Sequence, residues 1–351
     1  MKGREVRDRA VYSVKWLIAN TLYWSGVLSA LRRIRLRGRI VVLAYHRVLP
    51  ASAVTWSHPG IVVTPGTFER HLVTLRRHFR LLTWPDFERA VAGDTMAGGD
   101  GCLVTFDDGW DDTAAVAAPL LAERGVPAVL FLATGFIGTA ATFWQERMGE
   151  LLESAARRGA SDVAFDARVR EYLDGAGLGE LVAAYAACDR PLLIAGIRAL
   201  KARPSFSPDP VIVALESMLD CSGTPAHDRF MSWDDVTRVA ALPGITIGSH
   251  GHRHRAMPRM SAADLDDDLR RSRQLLEAVT GRPVTAVSYP NGDWNQDVAS
   301  HARAAGYVAA FTMDHGSIER GAPALSLRRI NVHEDMTRSS AMFLARVVGV
   351  L

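Results

Sequence analysis

From residue 39 onward, short unbroken apolar runs alternate with longer segments whose apolar residues fall three and four apart, the rhythm of β/α units around a parallel sheet or barrel. The run 40–45 (IVVLAY) reads as a buried strand, followed by a helix over 67–77, a short strand over 81–83 and a helix over 85–92. A strand over 102–106 (CLVTF), a helix over 113–124 that stops at Gly125, and a strand over 128–132 (AVLFL) continue the series. From about 139 to 228 the rhythm fails. That stretch is helical in pattern, rich in Ala, Arg and Glu, and broken by Pro204, Pro208, Pro210 and Pro225, so it reads as a helical insertion. Alternation resumes with a helix over 233–241, a strand over 245–249, a helix over 262–280, a strand over 286–289 and a helix over 295–305. Strands over 308–312 and 327–332 complete the set, and no internal repeat interrupts it.

Polar residues follow the apolar runs. His46 follows the first, Asp107 and Asp108 follow CLVTF, Thr134 follows AVLFL, His250 follows ITIGS, Asn291 follows AVSYP, and Asp314 and His315 follow VAAFT. In a parallel barrel all these strand ends open onto one face, so residues far apart in sequence are expected to converge there.

Composition narrows the class. With 351 residues the chain has room for one large domain or two small ones. Hydrophobic residues make up 48% and charged residues 23%, which argues against both a disordered chain and a multi-span membrane protein. Net charge is only +3 and the basic excess sits at the N-terminus, so nucleic acid is not an expected partner. Cys102, Cys188 and Cys221 form no CxxC pair and no disulfide framework, and read as small buried apolar residues, which fits a reducing compartment.

The N-terminal segment 1–38 stands apart from a domain over 39–351. Residues 16–31 are uncharged, preceded by Arg4, Arg7 and Arg9 and followed by Arg32, Arg33, Arg35, Arg37 and Arg39. A spanning helix needs ~20 mostly apolar residues, and this stretch is shorter and includes Asn20, Thr21, Ser25 and Gly26. A cleaved leader fits poorly, because Leu28-Ser29-Ala30 lacks the small residue wanted at its first position. Two readings stay open. One is an amphipathic helix at a bilayer surface, giving peripheral membrane contact through residues 11–39; the other is an ordinary helix packed on the domain.

Two sets of residues carry candidate chemistry. Asp107 and Asp108 place two carboxylates in a tight turn ahead of Gly109, where one can stay ionised on a cation while its neighbour acts as a base toward water. Asp-Asp-Gly is also a common turn sequence. His250 and His254 are four apart, a spacing that puts two imidazoles on one side of a helical turn, although such a pair alone serves equally as two hydrogen-bonded histidines. Two histidines and one aspartate leave open positions on a metal, as hydrolytic sites require.

These residues resemble a known family. TFDDGW at 105–110 and HGHRH at 250–254 are similar to the first two motifs of polysaccharide deacetylases with the NodB-type domain (carbohydrate esterase family 4). AYHRV at 44–48, SWDDV at 232–236, SYPNG at 288–292 and AAGYVAAFT at 304–312 extend the likeness. The resemblance implies a distorted (β/α)7-8 barrel, with Asp107 as general base and Asp108, His250 and His254 as ligands of a divalent metal: zinc, or else cobalt, nickel or manganese. It also places Asn291 where a backbone N–H stabilises the oxyanion.

The chain departs from the family pattern in two places. Ser288 stands where the third motif usually has an arginine that orients the base, leaving Arg328 or Arg329 as substitutes. The late Leu-His pair that supplies the general acid is not clearly present, leaving His46, His333 or His315, of which His46 is preferred by resemblance to a branch of the family that also lacks that arginine and carries Tyr-His at the end of its first strand. The expected activity is removal of N-acetyl groups from amino sugars of a polysaccharide or lipid-linked glycan on the cytoplasmic side. O-deacetylation, deformylation, or a catalytically silent glycan-binding module on the same fold are the alternatives.

Overall fold

An apolar run buried on both faces satisfies its backbone N–H and C=O groups most simply by pairing with parallel neighbours of the same kind. In the computed structural model, which describes residues 2–53, 56–93, 101–203, 206–221 and 229–351 (side chains from residue 11), the apolar runs do so. In chain order the strands are β1 (Ile40–Tyr45), β2 (Arg47–Val48), β3 (Val62–Val63), β4 (Arg80–Leu81), β5 (Gly101–Phe106), β6 (Ala128–Leu132), β7 (Ile245–Ser249), β8 (Ala286–Ser288), β9 (Ala309–His315) and β10 (Leu327–Asn331). The order β1-β10-β9-β8-β7-β6-β5 is parallel throughout, and β1 pairs with β5 from Ile40↔Gly101 to Tyr45↔Phe106. That pairing closes a seven-strand barrel, with β4 hanging on β5. The parallel barrel anticipated from the alternation is therefore present.

The surrounding helices are α1 (Lys2–Trp24), α2 (Val27–Arg35), α3 (Pro65–His78), α4 (Trp84–Val91), α5 (Ala118–Glu123), and, beyond five helices of a second unit, α11 (Trp233–Ala240), α12 (Ala262–Thr280), α13 (Gln296–Ala304), α14 (Glu334–Thr337) and α15 (Ser340–Val348). Side-chain caps set their starts. Thr64 and Thr83, each followed by a proline in the first turn, begin α3 and α4 slightly earlier than the apolar pattern alone indicates. Ser232 and Asp235 form a reciprocal capping box on α11.

Side chains alternate along each strand, and the inward set builds the barrel core. Ile40, Val42, Leu103, Val129, Phe131, Ala286, Ala309, Phe311 and Leu327 belong to one buried cluster, joined by Trp84 and Phe87 of α4. Phe87 and Phe131 pack on Phe311 with ring centroids 5.5 and 5.3 Å away. Gly248 makes room for this layer, since a Cβ there would sit 2.5 Å from the Phe131 ring. Two to four residues further toward the C-terminal strand ends, positions of the same parity include His46, Thr105, Asp107, His250, Ser288 and Arg329. The interior thus gains polar side chains toward this end.

Three elements differ from the expected pattern. β9 runs on to His315, so Asp314 and His315 lie inside a strand paired with β10 (Arg329↔His315) rather than after it. The helix expected over 113–124 opens as a π-helical stretch, Thr113–Ala117, before α5. The uncharged segment 16–31 is two helices rather than one, broken where Gly26 takes φ 79°. Both α1 and α2 lie against α15, burying Ala19 and Leu28.

Residues Ser52–His58 and Ala140–Arg229 form a second compact unit. It contains α6 (Trp144–Gly159), α7 (Val163–Gly175), α8 (Gly179–Ala186), α9 (Arg190–Ala202) and α10 (Asp209–Leu219). The unit has its own core, including Leu151, Leu152, Phe165, Leu173, Leu181, Ile197 and Leu215. Trp56 packs directly on Gly149, where any Cβ would overlap the indole. Pro204, Pro225 and the C-terminal end of the expected insertion, 222–228, lie outside the described residues.

One buried contact of the barrel unit makes stability depend on pH. His71 bridges the Tyr45 hydroxyl (3.1 Å) and the Thr337 carbonyl (2.6 Å), and stacks on Phe343 at 4.0 Å. Burial holds its pKa down at about 4. Because the unfolded chain takes up the proton near pH 6.5, stability from this group is full above that pH and is lost as pH falls toward 4. Denaturant titrations at pH 7 and pH 4 are expected to differ by about 3 kcal/mol less in His71→Gln than in the unmodified chain. An equal pH response in both would remove His71 from the account.

Candidate active site

The turn after β5 carries the acidic pair. Asp107 donates its N–H to Tyr45 O (2.9 Å), while Asp108 takes φ 78° and Gly109 φ 89°. The left-handed turn sends the two neighbouring carboxylates in different directions. Asp107, 2% exposed, meets Arg329: Nη1 to Oδ1 and Nη2 to Oδ2, each 2.7 Å. The Ser288 hydroxyl donates to Asp107 Oδ2 (3.1 Å) and accepts from Arg329 Nη2 (2.8 Å), so serine and arginine together grip the carboxylate. Arg328, the neighbouring candidate, is exposed, as strand alternation requires when Arg329 points inward.

Burial by itself would raise the Asp107 pKa, but Arg329, then His250, outweigh it and leave the carboxyl below its usual range. Asp107 is therefore ionised at neutral pH. The pair is buried and bidentate, so neither charge has water to fall back on.

Asp108 faces the histidines. Its Oδ1 lies 3.3 Å from His250 Nε2 and 3.4 Å from His254 Nε2. Those separations match the edge of a tetrahedron whose metal–ligand bonds are about 2.0–2.1 Å. Among the described residues, Asp108, His250 and His254 are the cluster of three side chains able to hold a metal ion, and the donor set of one carboxylate and two imidazoles suits a divalent cation. The Asp108 carboxyl lies well below its usual range: burial opposes ionisation, and hydrogen bonds from His250 and His254 overcome it.

Neighbouring groups aim each donor atom. His250 Nδ1 is 2.7 Å from Ser288 O, which makes Nδ1 a donor to that carbonyl and turns Nε2 toward Asp108. Trp110 Nε1 donates to Asp108 Oδ2 at 2.8 Å, leaving Oδ1 for the histidines. Trp110 is in turn clamped between Phe230 (4.4 Å between centroids) and the Arg47 guanidinium (4.2 Å above the ring), and Arg47 is paired with buried Asp112 at 2.9 Å.

His250 and His254 do not share a helical turn. They sit on a loop after β7, with Gly251 at φ 73° and His254 at φ 49°. The loop is held by buried Asp268 of α12, which accepts from the backbone N–H of His252 (2.7 Å) and Arg253 (2.8 Å). A side chain at residue 251 would press on this carboxylate, its Cβ 2.7 Å from Asp268 Oδ2. Convergence of the two imidazoles, 5.0 Å apart between centroids, is thus a property of the loop and its anchor rather than of the four-residue spacing.

Of the three histidines considered for acid chemistry, only His46 is brought to the pair. Burial lowers its pKa, while the charges of Asp108 and Asp107 push the other way, and its Nδ1 is buried with no hydrogen-bond partner. His333 stands at the residue before α14, and His315 lines a separate cleft with Arg35, Arg37 and Arg39. Asn291 follows β8 in a left-handed conformation, φ 60°. Trp110, Arg47, Asp112, Ser288 and Asp268 were not assigned roles from sequence, because each acts through a partner that only the fold supplies.

The chain resembles polysaccharide deacetylases. The "Polysaccharide deacetylase" family profile matches residues 218–310, which include His250, His254 and Asn291 but not the aspartate pair. The putative polysaccharide deacetylase YxkH of Bacillus subtilis (strain 168) is 26% identical over 107 residues, 30% of this chain and 38% of that protein. Among solved structures, the fold is shared with the deacetylase PplD of Streptococcus pyogenes in complex with acetate (TM-score 0.56, 16% identity, 88% of this chain and 98% of that one). It is likewise shared with IcaB from Ammonifex degensii (TM-score 0.56, 18% identity, 88% and 97%).

The Arg329–Asp107 pair is open to a double-mutant cycle. Arg329→Met or Asp107→Asn alone strands one partner in the core and is expected to cost about 3–5 kcal/mol of stability. The double variant should lose clearly less than the sum. Additive losses in chemical denaturation would mean that the two groups are not coupled.

Proposed function

We propose, from this likeness to polysaccharide deacetylases, that the chain is a metal-dependent hydrolase that removes acetyl groups from glycans, acting first on the N-acetyl groups of amino sugars in a polysaccharide or lipid-linked glycan. The reading is carried by one observation. Asp107 is a buried, ionised carboxylate that takes no part in the Asp108–His250–His254 cluster, although it adjoins it in sequence. Two structural carboxylates would share a task, whereas these two are held apart by Arg329 and Trp110.

Asp108, His250 and His254 would hold a divalent ion, zinc by its preference for this donor set and coordination number, with cobalt, nickel or manganese as substitutes. The bound ion would polarise the acyl oxygen and make an adjacent water more acidic. Asp107 accepts the proton of the attacking water, and the grip of Arg329 and Ser288 keeps its lone pair directed at that proton. Asn291 presents its backbone N–H to the oxyanion that forms as water adds to the carbonyl carbon. When the C–N bond breaks, the leaving sugar amine needs a proton, and His46, which lies in the field of both aspartates, would give it from its protonated form.

The motive for a silent binding module was the missing third-motif arginine. Arg329 reaches the same carboxylate from β10, which removes that motive.

Acetate release from N-acetylglucosamine oligosaccharides is expected from metal-loaded protein, to vanish on chelation, and to fall roughly 10²–10⁴-fold in Asp107→Asn. Turnover of O-acetyl substrates only would replace the amide reading with ester hydrolysis. His46→Gln should lose a similar factor on amides yet keep most of its activity on an aryl acetate, whose phenolate departs without a proton. Equal losses on both substrates would make His46 a positioning residue.

A further inference from the structure

The helices α1 and α2 present an apolar face that nothing in the described chain covers. Val11, Val14, Leu17, Ile18 and Trp24 are spaced three, four and seven apart, one stripe of a helix, and all are exposed. Leu17 is 61% exposed and Trp24 81%, and Ile34 on α2 reaches 73%. The residues that pack inward are others, Ala19 and Leu28. A stripe of this size on one surface marks an interaction site.

The charge around the stripe is one-sided. From Arg9 to Phe68 the sequence holds no Asp or Glu, while Lys15, Arg32, Arg33, Arg35, Arg37 and Arg39 fall within 11–39. Ile34 also rims a cleft of about 700 Å³ between α2, β10 and the end of α15, lined by Arg35, Arg37, Arg39, His315 and Ser317. The Arg35 guanidinium is aimed by the carbonyls of Val348 (3.3 Å) and Gly349 (2.9 Å). Arg39 donates to the Ser317 hydroxyl at 3.4 Å and meets Glu319, an exposed carboxylate, at 2.9 Å.

We propose that this face docks on the surface of an anionic bilayer, with the stripe of α1 and Ile34 in the interfacial layer and the arginine cleft taking a lipid phosphate. An apolar stripe with a mainly basic border is what such an interface selects: apolar side chains enter the headgroup boundary and the basic groups meet its charge. No described helix is long and apolar enough to cross a membrane, and the proposal requires none to do so. The docking rests on no part of the catalytic reading.

Sedimentation of the full chain with vesicles tests it. Binding is expected to vesicles of phosphatidylcholine mixed with phosphatidylglycerol, to be much weaker on phosphatidylcholine alone, and to fall as salt rises. Leu17→Glu/Trp24→Glu should abolish binding while leaving the melting temperature unchanged. Arg33→Gln and Arg37→Gln should each weaken binding to the anionic vesicles about fivefold and leave neutral-vesicle binding untouched. Two results overturn the proposal. One is the absence of cosedimentation with either vesicle; the other is a lipid-free dimer that Leu17→Glu/Trp24→Glu converts to monomer, which would assign the stripe to a second copy of the chain.

Discussion

A carboxylate stays ionised inside a protein only if another group replaces the water it has lost, and Arg329 does this for Asp107 from a strand more than two hundred residues away in sequence. The contact exists because the barrel closes. β10 pairs with β1, β1 pairs with β5, and the inward positions of β10 and β5 then face a common interior. An open sheet would leave Arg329 and Asp107 without each other. The lower barrel, filled by Phe131, Phe311 and their neighbours, gives the pair a dry and rigid floor, with the Arg329 guanidinium 5.9 Å from both rings. Such surroundings strengthen the pair's mutual attraction and raise the cost of losing either member.

Backbone strain gathers at the same place. Of the described non-glycine residues with positive φ, which are Asp108, Cys188, Asp220, His254 and Asn291, three carry site positions. A left-handed conformation costs a residue with a Cβ about 1–2 kcal/mol. At Asp108 that cost turns its carboxylate away from Asp107 and toward the histidines, and at His254 it folds the loop back so that its imidazole meets His250. The groups that hold these conformations lie one layer out. Asp268 grips the histidine loop, and Trp110, wedged between Phe230 and Arg47, fixes Asp108. Preorganisation here is built from hydrogen bonds to backbone and indole N–H groups, which move less than long charged side chains.

The polar end of the barrel and the N-terminal helices place different demands on the chain. Around the aspartate pair, nearly every polar atom has a named partner, and the buried Nδ1 of His46 is an exception beside the very groups it would serve. On α1 and α2 the unmet need is apolar, because the domain takes only the small or central residues of that segment and leaves its tryptophan and leucine outside. Both are places where local consistency fails, and such places are where function is expected in an otherwise self-consistent fold.

Periodicity alone placed most of the barrel's strands and helices. The runs at 40–45, 128–132 and 245–249 are the strands β1, β6 and β7 residue for residue, because a strand buried on both faces has no polar position to blur its ends. The sequence likewise showed where polar residues follow strands, and so which face of the barrel carries chemistry. It left open Arg328 against Arg329, which strand alternation resolves only once the inward parity of β10 is known from Leu327. Its four-residue histidine spacing pointed to a helical turn, and the structure has a loop there, because convergence was set by Gly251, Asp268 and a left-handed His254. The partners of Asp107, Asp108 and His250 lie on other strands, other helices or other backbone segments. Local pattern carries the strength of a residue's preference for an element, but only barrel closure and register decide which buried charges and donors meet.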